Sequence, residues 1–229
     1  MAKHGKKYRD TLKLAPKAAV SFEEAVRFIQ AHPGAKFDET IEIAMRLGVD
    51  PTKSDQTVRG TVSLPHGTGK TARVIVFAAG AQADAAREAG ADEAGFDDLI
   101  EKVKGGWTDF DVAISTTDAM KEVRKLGRVL GPRGLMPNPK TGTVTDDVGP
   151  AVIAAKGGRV EFRMDRTGNV SVRCGKRSFE VNKLVENIRA IIDALNAERP
   201  AGAKGAFIRS CTLSSTMGIG LAVVLPTQE

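Results

Sequence analysis

The segment most suggestive of chemistry is Gly67-Thr68-Gly69-Lys70-Thr71, which looks like the end of a phosphate-binding loop. The complete pattern needs a glycine five positions before the glycine that precedes the lysine, because this loop presents backbone N–H groups to phosphate. Leu64 occupies that position here, and Pro65 follows it. A plain connection between domains is the better interpretation. A nucleotide-dependent enzyme that uses the central part of the chain is the alternative.

The histidines and cysteines form no pattern typical of catalysis or metal binding. His4, His32 and His66 lie far apart, with neither metal-ligand spacing nor a nucleophile partner beside them. Cys174 and Cys211 show no CxxC arrangement and fit a reducing compartment, where thiols stay free. We therefore predict no catalytic residue, no cofactor and no metal site.

The charge distribution favours a polyanionic partner instead. The chain has a net charge of +6 and a pI near 9.4. Residues 1–67 and 159–229 together carry +7, whereas residues 68–158 carry −1. Phosphate neutralisation supplies most of the sequence-independent affinity for nucleic acids, so a polyanion should bind the outer segments. The basic start, residues 1–17, is typical equally of a nucleic-acid contact and of a solvated tail.

Hydrophobic patterning predicts an α+β domain, an antiparallel sheet with helices, in these outer segments. A capping box at Ser21 and Glu24 predicts the start of a helix that ends at Pro33-Gly34. Apolar residues at helical spacing predict another helix at 182–197. Alternation predicts strands and one β-hairpin, formed by 160–164 and 170–173. The other strands are predicted at 36–47, 57–64, 207–212 and 219–225.

The middle of the chain has a different hydrophobic pattern, in which short apolar strands alternate with helices. Strands are predicted at 74–79 and 111–115, and helices at 82–89, 96–104, 118–126 and 150–156. This pattern favours a small parallel α/β sheet covered on both faces. We predict that residues 68–158 are inserted into an outer domain of residues 1–67 and 159–229, through joints that contain glycine. The sequence shows no apolar run long enough to span a membrane and no secretory signal.

Two loops have an unusual composition. Residues 131–142 hold three prolines and three glycines, with Arg133 and Lys140 between them. Such a stiff loop is either an ordered connection over the sheet or a presented contact surface. Residues 214–218 place hydroxyls beside a glycine, which suits hydrogen bonds to phosphate or ribose, and a simple turn is the alternative. Taken alone, Phe37 is predicted to be a core residue.

Four segments, in this order and spacing, together resemble a known family. They are Lys36-Phe37-Asp38-Glu39-Thr40, 54–56 with 59–67, 130–140, and Ser215-Thr216-Met217-Gly218. With these segments the chain is similar, over essentially its whole length, to the bacterial large-subunit ribosomal protein of the L-one family, the protein of the mobile ribosomal stalk. The resemblance implies a split α+β outer domain built from both termini and an inserted Rossmann-like three-layer α/β domain.

The same resemblance implies partners and site residues. The partners are large-subunit ribosomal RNA, exit-site transfer RNA, the protein's own operon messenger RNA and other ribosomal components. We expect a cytoplasmic protein of the large subunit that represses its own translation, contacts no membrane and is a monomer when free. Phe37 then belongs to the RNA surface rather than the core. The implied RNA contacts are Lys36, Phe37, Thr40, Glu42, Asp165, Arg166, Gly168, Ser210, Thr216, Met217 and Gly218.

These inferences combine into one hypothesis of rigid-surface recognition. A preformed patch that includes the Thr216 hydroxyl and Met217 would pack into a shallow RNA minor groove while basic residues anchor phosphates. The inserted domain would gate or support this patch by hinging near Gly67 and Gly158, since glycine-containing joints commonly act as hinges.

Overall fold

A computed structural model describes residues 5–203 and 205–225 of the chain. Contacts divide the protein into two compact units. We call residues 1–69 with 160–229 the outer unit and residues 70–159 the inserted unit. Both contain helices and sheets, so the fold is of the mixed α/β class. In chain order the elements are α1 (Lys6–Leu14), α2 (Phe22–Ala31), β1 (Thr40–Leu47), β2 (Arg59–Ser63), β3 (Val74–Phe77), α3 (Ala81–Glu88), β4 (Glu93–Gly95), α4 (Asp97–Lys104), β5 (Val112–Ser115), α5 (Met120–Val123), α6 (Gly127–Leu130), α7 (Val148–Lys156), β6 (Arg159–Arg163), β7 (Asn169–Lys176), α8 (Val181–Ala197), β8 (Ile208–Ser215) and β9 (Leu221–Val223).

The outer unit is built on a four-stranded sheet in the order β7-β1-β8-β9, whose pairs are antiparallel. Strand β1 lies inside this sheet, and every second residue of it is buried. Helices α2 and α8 cover this buried side. The alternation predicted in the sequence therefore separates an apolar face under the helices from a polar face that no helix of the described residues covers. The buried residues of β1 are Ile41, Ile43, Met45 and Leu47.

The two covering helices form where the sequence predicts them. Ser21 accepts a hydrogen bond from the backbone N–H of Glu24, and the Glu24 carboxylate accepts one from the backbone N–H of Ser21. This capping box satisfies two N–H groups that a helix start leaves without partners. In α8, fully buried side chains recur at helical spacing, as at Leu184, Ile188 and Leu195, so one stripe of the helix faces the core.

Three details of the outer unit differ from the prediction. The predicted hairpin does not form, because β6 pairs with β2 in a separate two-stranded sheet while β7 pairs with β1. The connection at 164–168 thus joins two sheets, a long-range choice that local alternation does not encode. Strand β1 begins at Thr40, and residues 36–39 form a loop instead of its start. Helix α1 lies within the basic start, whose residues 1–4 fall outside the described part.

The inserted unit contains the predicted parallel sheet, in the order β4-β3-β5. Successive residues of the fully buried strand β3 enter opposite apolar clusters. Val76 packs with α3 and α7 on one side, and Phe77 packs with α4, α5 and α6 on the other. Burial on both faces explains the continuous apolar run in the sequence. Strand β4, only three residues long, has no counterpart in the prediction.

Candidate nucleic-acid interface

The uncovered face of the outer sheet presents hydroxyls, small side chains and arginines. Strand β1 turns Glu42, Ala44 and Arg46 to this side. The strand register places these three residues beside Ser214, Thr212 and Ser210 of β8, and places Glu42 and Ala44 beside Arg173 and Ser171 of β7. We call these residues the open face. It offers hydrogen-bond donors and positive charge over a flat surface, which suits the sugar–phosphate backbone of RNA.

The open face continues into a tip at the start of β1. Three loops meet there: residues 33–39, residues 176–179 and residues 215–218. The Thr216 hydroxyl accepts a hydrogen bond from the Thr40 N–H at 3.2 Å and donates to the Thr40 carbonyl at 3.3 Å. The Thr216 N–H donates to the same carbonyl at 3.1 Å. The hydroxyl proton therefore has an acceptor within the protein, and Thr216 positions the loop.

Glu39 joins these loops from beneath. Its side chain is fully buried, and its two carboxylate oxygens accept hydrogen bonds from different loops. The N–H of Met217 donates at 3.0 Å and the N–H of Gly34 at 3.1 Å. The Arg177 guanidinium lies 3.9 Å away and supplies the opposite charge. A buried carboxylate is costly unless such partners compensate it, so Glu39 favours one arrangement of the tip.

A second set of contacts holds the third loop. The Asp38 carboxylate accepts hydrogen bonds from the N–H and the hydroxyl of Ser178, at 3.1 and 2.8 Å. The Lys176 ammonium donates to the Thr40 hydroxyl at 3.0 Å. Gly34 permits a close approach, since an added Cβ there would lie 2.6 Å from the carbonyl oxygen of Met217. The tip is thus fixed by contacts between residues distant in sequence.

Two large apolar side chains remain exposed on this tip. Phe37 is 55% exposed and Met217 is 59% exposed. The assignment of Phe37 to the core, made from the isolated segment, is wrong, and the surface position implied by the family resemblance is right. Exposed apolar groups on a hydrogen-bonded loop can stack on bases or fill a shallow groove without first being ordered.

The opposite end of the open face carries the turn between β6 and β7. One carboxylate oxygen of Asp165 accepts hydrogen bonds from the N–H of Asn169, the hydroxyl of Thr167 and the N–H of Thr167, each at 2.8 Å. These bonds hold the pKa of Asp165 below its ordinary value. The carbonyl of Gly168, whose φ is +81°, accepts from the N–H of Leu47 at 2.8 Å, which ties the turn to the end of β1.

The implied RNA contacts thus form two groups at opposite ends of β1. The seven steps between the eight residues of β1, at about 3.4 Å each, separate the groups by roughly 24 Å. Glu42 lies on the open face between them, and Ser210 pairs with Arg46 near the far end. All the implied residues therefore lie on or beside one surface. The tip group is Lys36, Phe37, Thr40, Thr216, Met217 and Gly218, and the turn group is Asp165, Arg166 and Gly168.

The arginines of the open face and of the β6–β7 turn have no carboxylate close to them in the described part of the chain. Among the described residues, no carboxylate lies within 4.0 Å of the side-chain nitrogens of Arg46, Arg166 or Arg173. All three side chains are exposed. Guanidinium groups without an internal carboxylate can pair with phosphate oxygens at no cost in lost protein contacts.

Sequence reasoning missed Glu39, Gly34, Arg46 and Arg173. The sequence did contain a signal for Glu39, because every second residue from Ile41 to Leu47 is buried and Glu39 continues this alternation. The same alternation places Arg46 on the exposed side of β1, together with Glu42. No comparable signal identified Gly34, because its neighbour Met217 is distant in sequence.

The glycine-rich segment near Lys70 does not have the context of a phosphate-binding loop. That loop must lead from a strand into a helix, whereas the element after Lys70 is strand β3. The Lys70 ammonium bonds the Asp111 carboxylate at 2.6 Å. Within the described ranges, no cluster of metal-ligating side chains is found. No helix in these ranges combines the length and hydropathy needed to cross a membrane.

The proline- and glycine-rich loop at 131–142 is internally bonded. The backbone N–H of Asn138 donates to the Thr143 hydroxyl at 2.7 Å, and Leu135 and Met136 pack on the apolar cluster below. Its first four residues, Gly131 to Gly134, are exposed, and Arg133 donates to the Thr108 hydroxyl. The Lys140 side chain lies outside the described part. The loop is thus an ordered connection with one presented corner.

Comparison with known proteins identifies relatives of this chain. Residues 29–219 match the family described as the ribosomal protein L1p/L10e family. The chain is also 53% identical, over 226 residues, to the large ribosomal subunit protein uL1 of Protochlamydia amoebophila (strain UWE25). That alignment covers 98% of this chain and 96% of the relative. The family resemblance seen in the sequence is therefore confirmed.

Proposed function

The chain belongs to the ribosomal protein L1p/L10e family, and from this premise we propose that it is a structural protein of the large ribosomal subunit that binds large-subunit ribosomal RNA. The outer unit supplies the binding surface, made of the open face, the tip and the β6–β7 turn. This assignment rests on one observation above all. The open face carries Arg46 and Arg173, which have no carboxylate within 4.0 Å among the described residues, beside exposed and half-buried hydroxyls.

The proposed mode of binding is recognition by a surface formed before RNA arrives. Arg46, Arg166 and Arg173 pair with phosphates, which positions the RNA without reading its sequence. Phe37 and Met217 contact bases or ribose in a shallow minor groove, as an A-form helix allows. Because Glu39 and Thr216 already fix the tip, little conformational entropy is lost on binding.

The competing interpretation, a nucleotide-dependent enzyme, is not supported. The relatives are ribosomal proteins, and the family is not one of enzymes. The Lys70 ammonium, which a phosphate-binding loop would direct to a nucleotide, bonds Asp111. The function is therefore one of binding and not of catalysis.

Three finer roles belong to the same proposal. The outer unit binds a similar structure in the protein's own operon messenger RNA and so represses translation. The protein contacts transfer RNA that leaves the exit site and assists its release. The inserted unit moves on glycine-containing joints near Gly67 and Gly158. We place the protein in the cytoplasm as a part of the large subunit and as a monomer when free.

The proposal is tested by removing the two arginines of the open face in the full-length protein. The double variant Arg46→Ala, Arg173→Ala should bind full-length large-subunit RNA about 100-fold more weakly, because a charge-assisted hydrogen bond contributes about 1.5 kcal/mol. Filter binding at several salt concentrations should also show that the slope of log affinity against log salt falls by about 2.

A matched control removes the same charge from the other side of the sheet. Arg27 and Arg189 are exposed on α2 and α8, the helices that cover the buried face. The variant Arg27→Ala, Arg189→Ala should retain wild-type affinity and salt dependence. Equal losses in both variants would show that binding follows net charge alone, and the assignment of the open face would be wrong.

A further inference from the structure

The inserted unit carries a concentrated positive charge that the proposed function does not use. Residues 119–134 contain five basic residues and one acidic residue, a net charge of +4. The remainder of this unit contains 8 basic and 12 acidic residues, a net charge of −4. A unit without net charge thus has one strongly basic region, which we call the basic ridge. It comprises Lys121, Arg124, Lys125, Arg128 and Arg133.

The fold turns these cations outward together. Helix α5, a 3-10 turn at Arg124–Leu126 and helix α6 follow one another with right-handed helical backbone at their junctions. Val123, Leu126 and Leu130 are buried in the apolar cluster below. Side chains three and four positions apart share one face of a helix. The cations at 121, 124, 125 and 128 therefore lie as neighbours on the side away from the core.

The ridge is an unfavourable arrangement for the protein alone. Lys121 with Lys125, and Arg124 with Arg128, are like charges at i,i+4 spacing, and such pairs destabilise a helix. Exposed carboxylates lie near the lysines, with Asp118 at 4.0 Å from Lys121 and Glu122 at 2.8 Å from Lys125. Among the described residues, no carboxylate comes within 4.0 Å of Arg124 or Arg128.

Other cations of the inserted unit differ from Arg124 and Arg128, because they lie beside carboxylates. Lys70, Arg73, Arg87, Lys102 and Lys156 each lie 2.5–3.2 Å from a carboxylate. Five of the eight basic residues of the unit outside the ridge therefore have a carboxylate partner, whereas Arg124 and Arg128 have none within the described part. The exposed corner at Gly131–Gly134 extends the ridge with Arg133.

The composition of the ridge selects nucleic acid over protein as the partner. A protein interface needs apolar or aromatic side chains at its centre. The large apolar side chains that are exposed in the described ranges all lie outside residues 119–134. Contact with a phosphate backbone requires cations and no apolar centre. We infer that the basic ridge is a second RNA contact surface, which binds the sugar–phosphate backbone independently of sequence. This inference rests on the proposed function.

The first test replaces the two arginines in the full-length protein. The variant Arg124→Gln, Arg128→Gln should bind full-length large-subunit RNA about tenfold more weakly and lower the salt slope by about 1–2. The control Arg87→Gln, Lys102→Gln removes the same charge from cations that are already paired with carboxylates, and it should bind as the wild type does. Circular dichroism checks that all variants are folded.

The outcomes separate this inference from the proposed function. If the Arg124, Arg128 variant binds RNA normally while the Arg46, Arg173 variant does not, the ridge inference is wrong and the proposed function stands. If the wild type does not bind the RNA, both fail. If the ridge variant binds RNA normally but sediments less with assembled large subunits, the ridge contacts a protein, which also overturns the inference.

A second test locates the RNA directly. Cys174 and Cys211 are buried, and burial raises the pKa of the Cys211 thiol to about 12 and that of Cys174 further, so neither reacts readily. A cysteine introduced by Arg124→Cys can therefore carry an iron–EDTA reagent alone. In assembled large subunits it should cleave ribosomal RNA at discrete positions, and Lys102→Cys should not. Absence of cleavage from position 124 would refute the inference.

Discussion

The two units of this protein hold similar numbers of cations per residue but use them differently. The outer unit contains 21 basic and 15 acidic residues, and the inserted unit contains 13 of each. In the inserted unit, seven basic side chains lie within 4.0 Å of a carboxylate. On the open face of the outer unit, Arg46 and Arg173 have no such partner among the described residues.

This difference shows that net charge is a poor measure of the affinity for a polyanion. A cation that already pairs with a carboxylate must give up that contact before it can bind phosphate. A cation without a partner loses only water, and it binds phosphate with full benefit. We therefore expect the positions of the carboxylates to determine where RNA binds in the proposed complex. Each prediction below compares a group in the outer unit with a similar group in the inserted unit.

The largest effect is expected from the buried carboxylate of the tip. Glu39→Ala leaves the N–H groups of Gly34 and Met217 without their acceptor, and each orphaned donor costs about 1–3 kcal/mol. The free energy of unfolding should fall accordingly, and affinity for large-subunit RNA should fall at least 100-fold because the tip loses its fixed arrangement. Chemical denaturation and filter binding measure the two quantities.

A carboxylate of the inserted unit provides the comparison for Glu39. Asp146 accepts hydrogen bonds from the N–H and the hydroxyl of Thr117, at 3.2 and 2.7 Å. Asp146→Ala should destabilise the protein and leave RNA affinity unchanged. If this variant lost as much affinity as Glu39→Ala, the effect at Glu39 would reflect general destabilisation and not a role in positioning the tip.

A smaller effect is expected from the hydroxyl that joins β8 to β1. Thr216→Val removes both side-chain hydrogen bonds to Thr40 and should weaken RNA binding by about 1–3 kcal/mol. Thr216→Ser retains the hydroxyl and should bind nearly as well as the wild type. Thr117→Val, the matching change in the inserted unit, should have no effect on binding. Unchanged affinity of Thr216→Val would contradict the proposed tip.

The smallest effect concerns the exposed ion pairs of the inserted unit. Hydrogen bonds from the Arg73 guanidinium hold the pKa of Asp109 below its ordinary value. Because the folded-state pKa is lowered, the pair stabilises the protein above the ordinary carboxyl range, near pH 4, and this contribution is lost as the pH falls through the lowered pKa. Arg73→Gln should therefore raise the pKa of Asp109, measured by an NMR titration of its carboxyl carbon.

The control for this titration is Arg73→Lys, which retains a positive charge beside Asp109. It should keep the pKa of Asp109 below its ordinary value, although by less than the bidentate arginine does. Neither change should affect RNA affinity, since the pair belongs neither to the open face nor to the basic ridge. A weaker RNA affinity in Arg73→Gln would show that paired cations also contribute to binding, and the contrast between the units would fail.

Most elements could be predicted because their causes are local. The capping box at Ser21 and Glu24 and the apolar spacing of α8 specify helices through neighbours three or four residues apart. The pairing of β6 was predicted wrongly because a strand's partner depends on long-range packing. Alternation showed that β6 is a strand, but it could not show that β6 pairs with β2 instead of β7.

The candidate site divides in the same way. The sequence by itself determined the family and the surplus of positive charge in the outer segments, since these depend on residue type and order. Through the family resemblance it also implied contacts such as Lys36, Phe37 and Met217, which stay predictions. Only the tertiary structure decided that Glu39 is buried beneath the tip and that the Thr216 hydroxyl bonds within the protein. It also decided that none of the described carboxylates lies within 4.0 Å of Arg46. The properties of the tip depend on contacts between residues about 140 to 180 positions apart in the chain, and local sequence patterns do not predict such contacts.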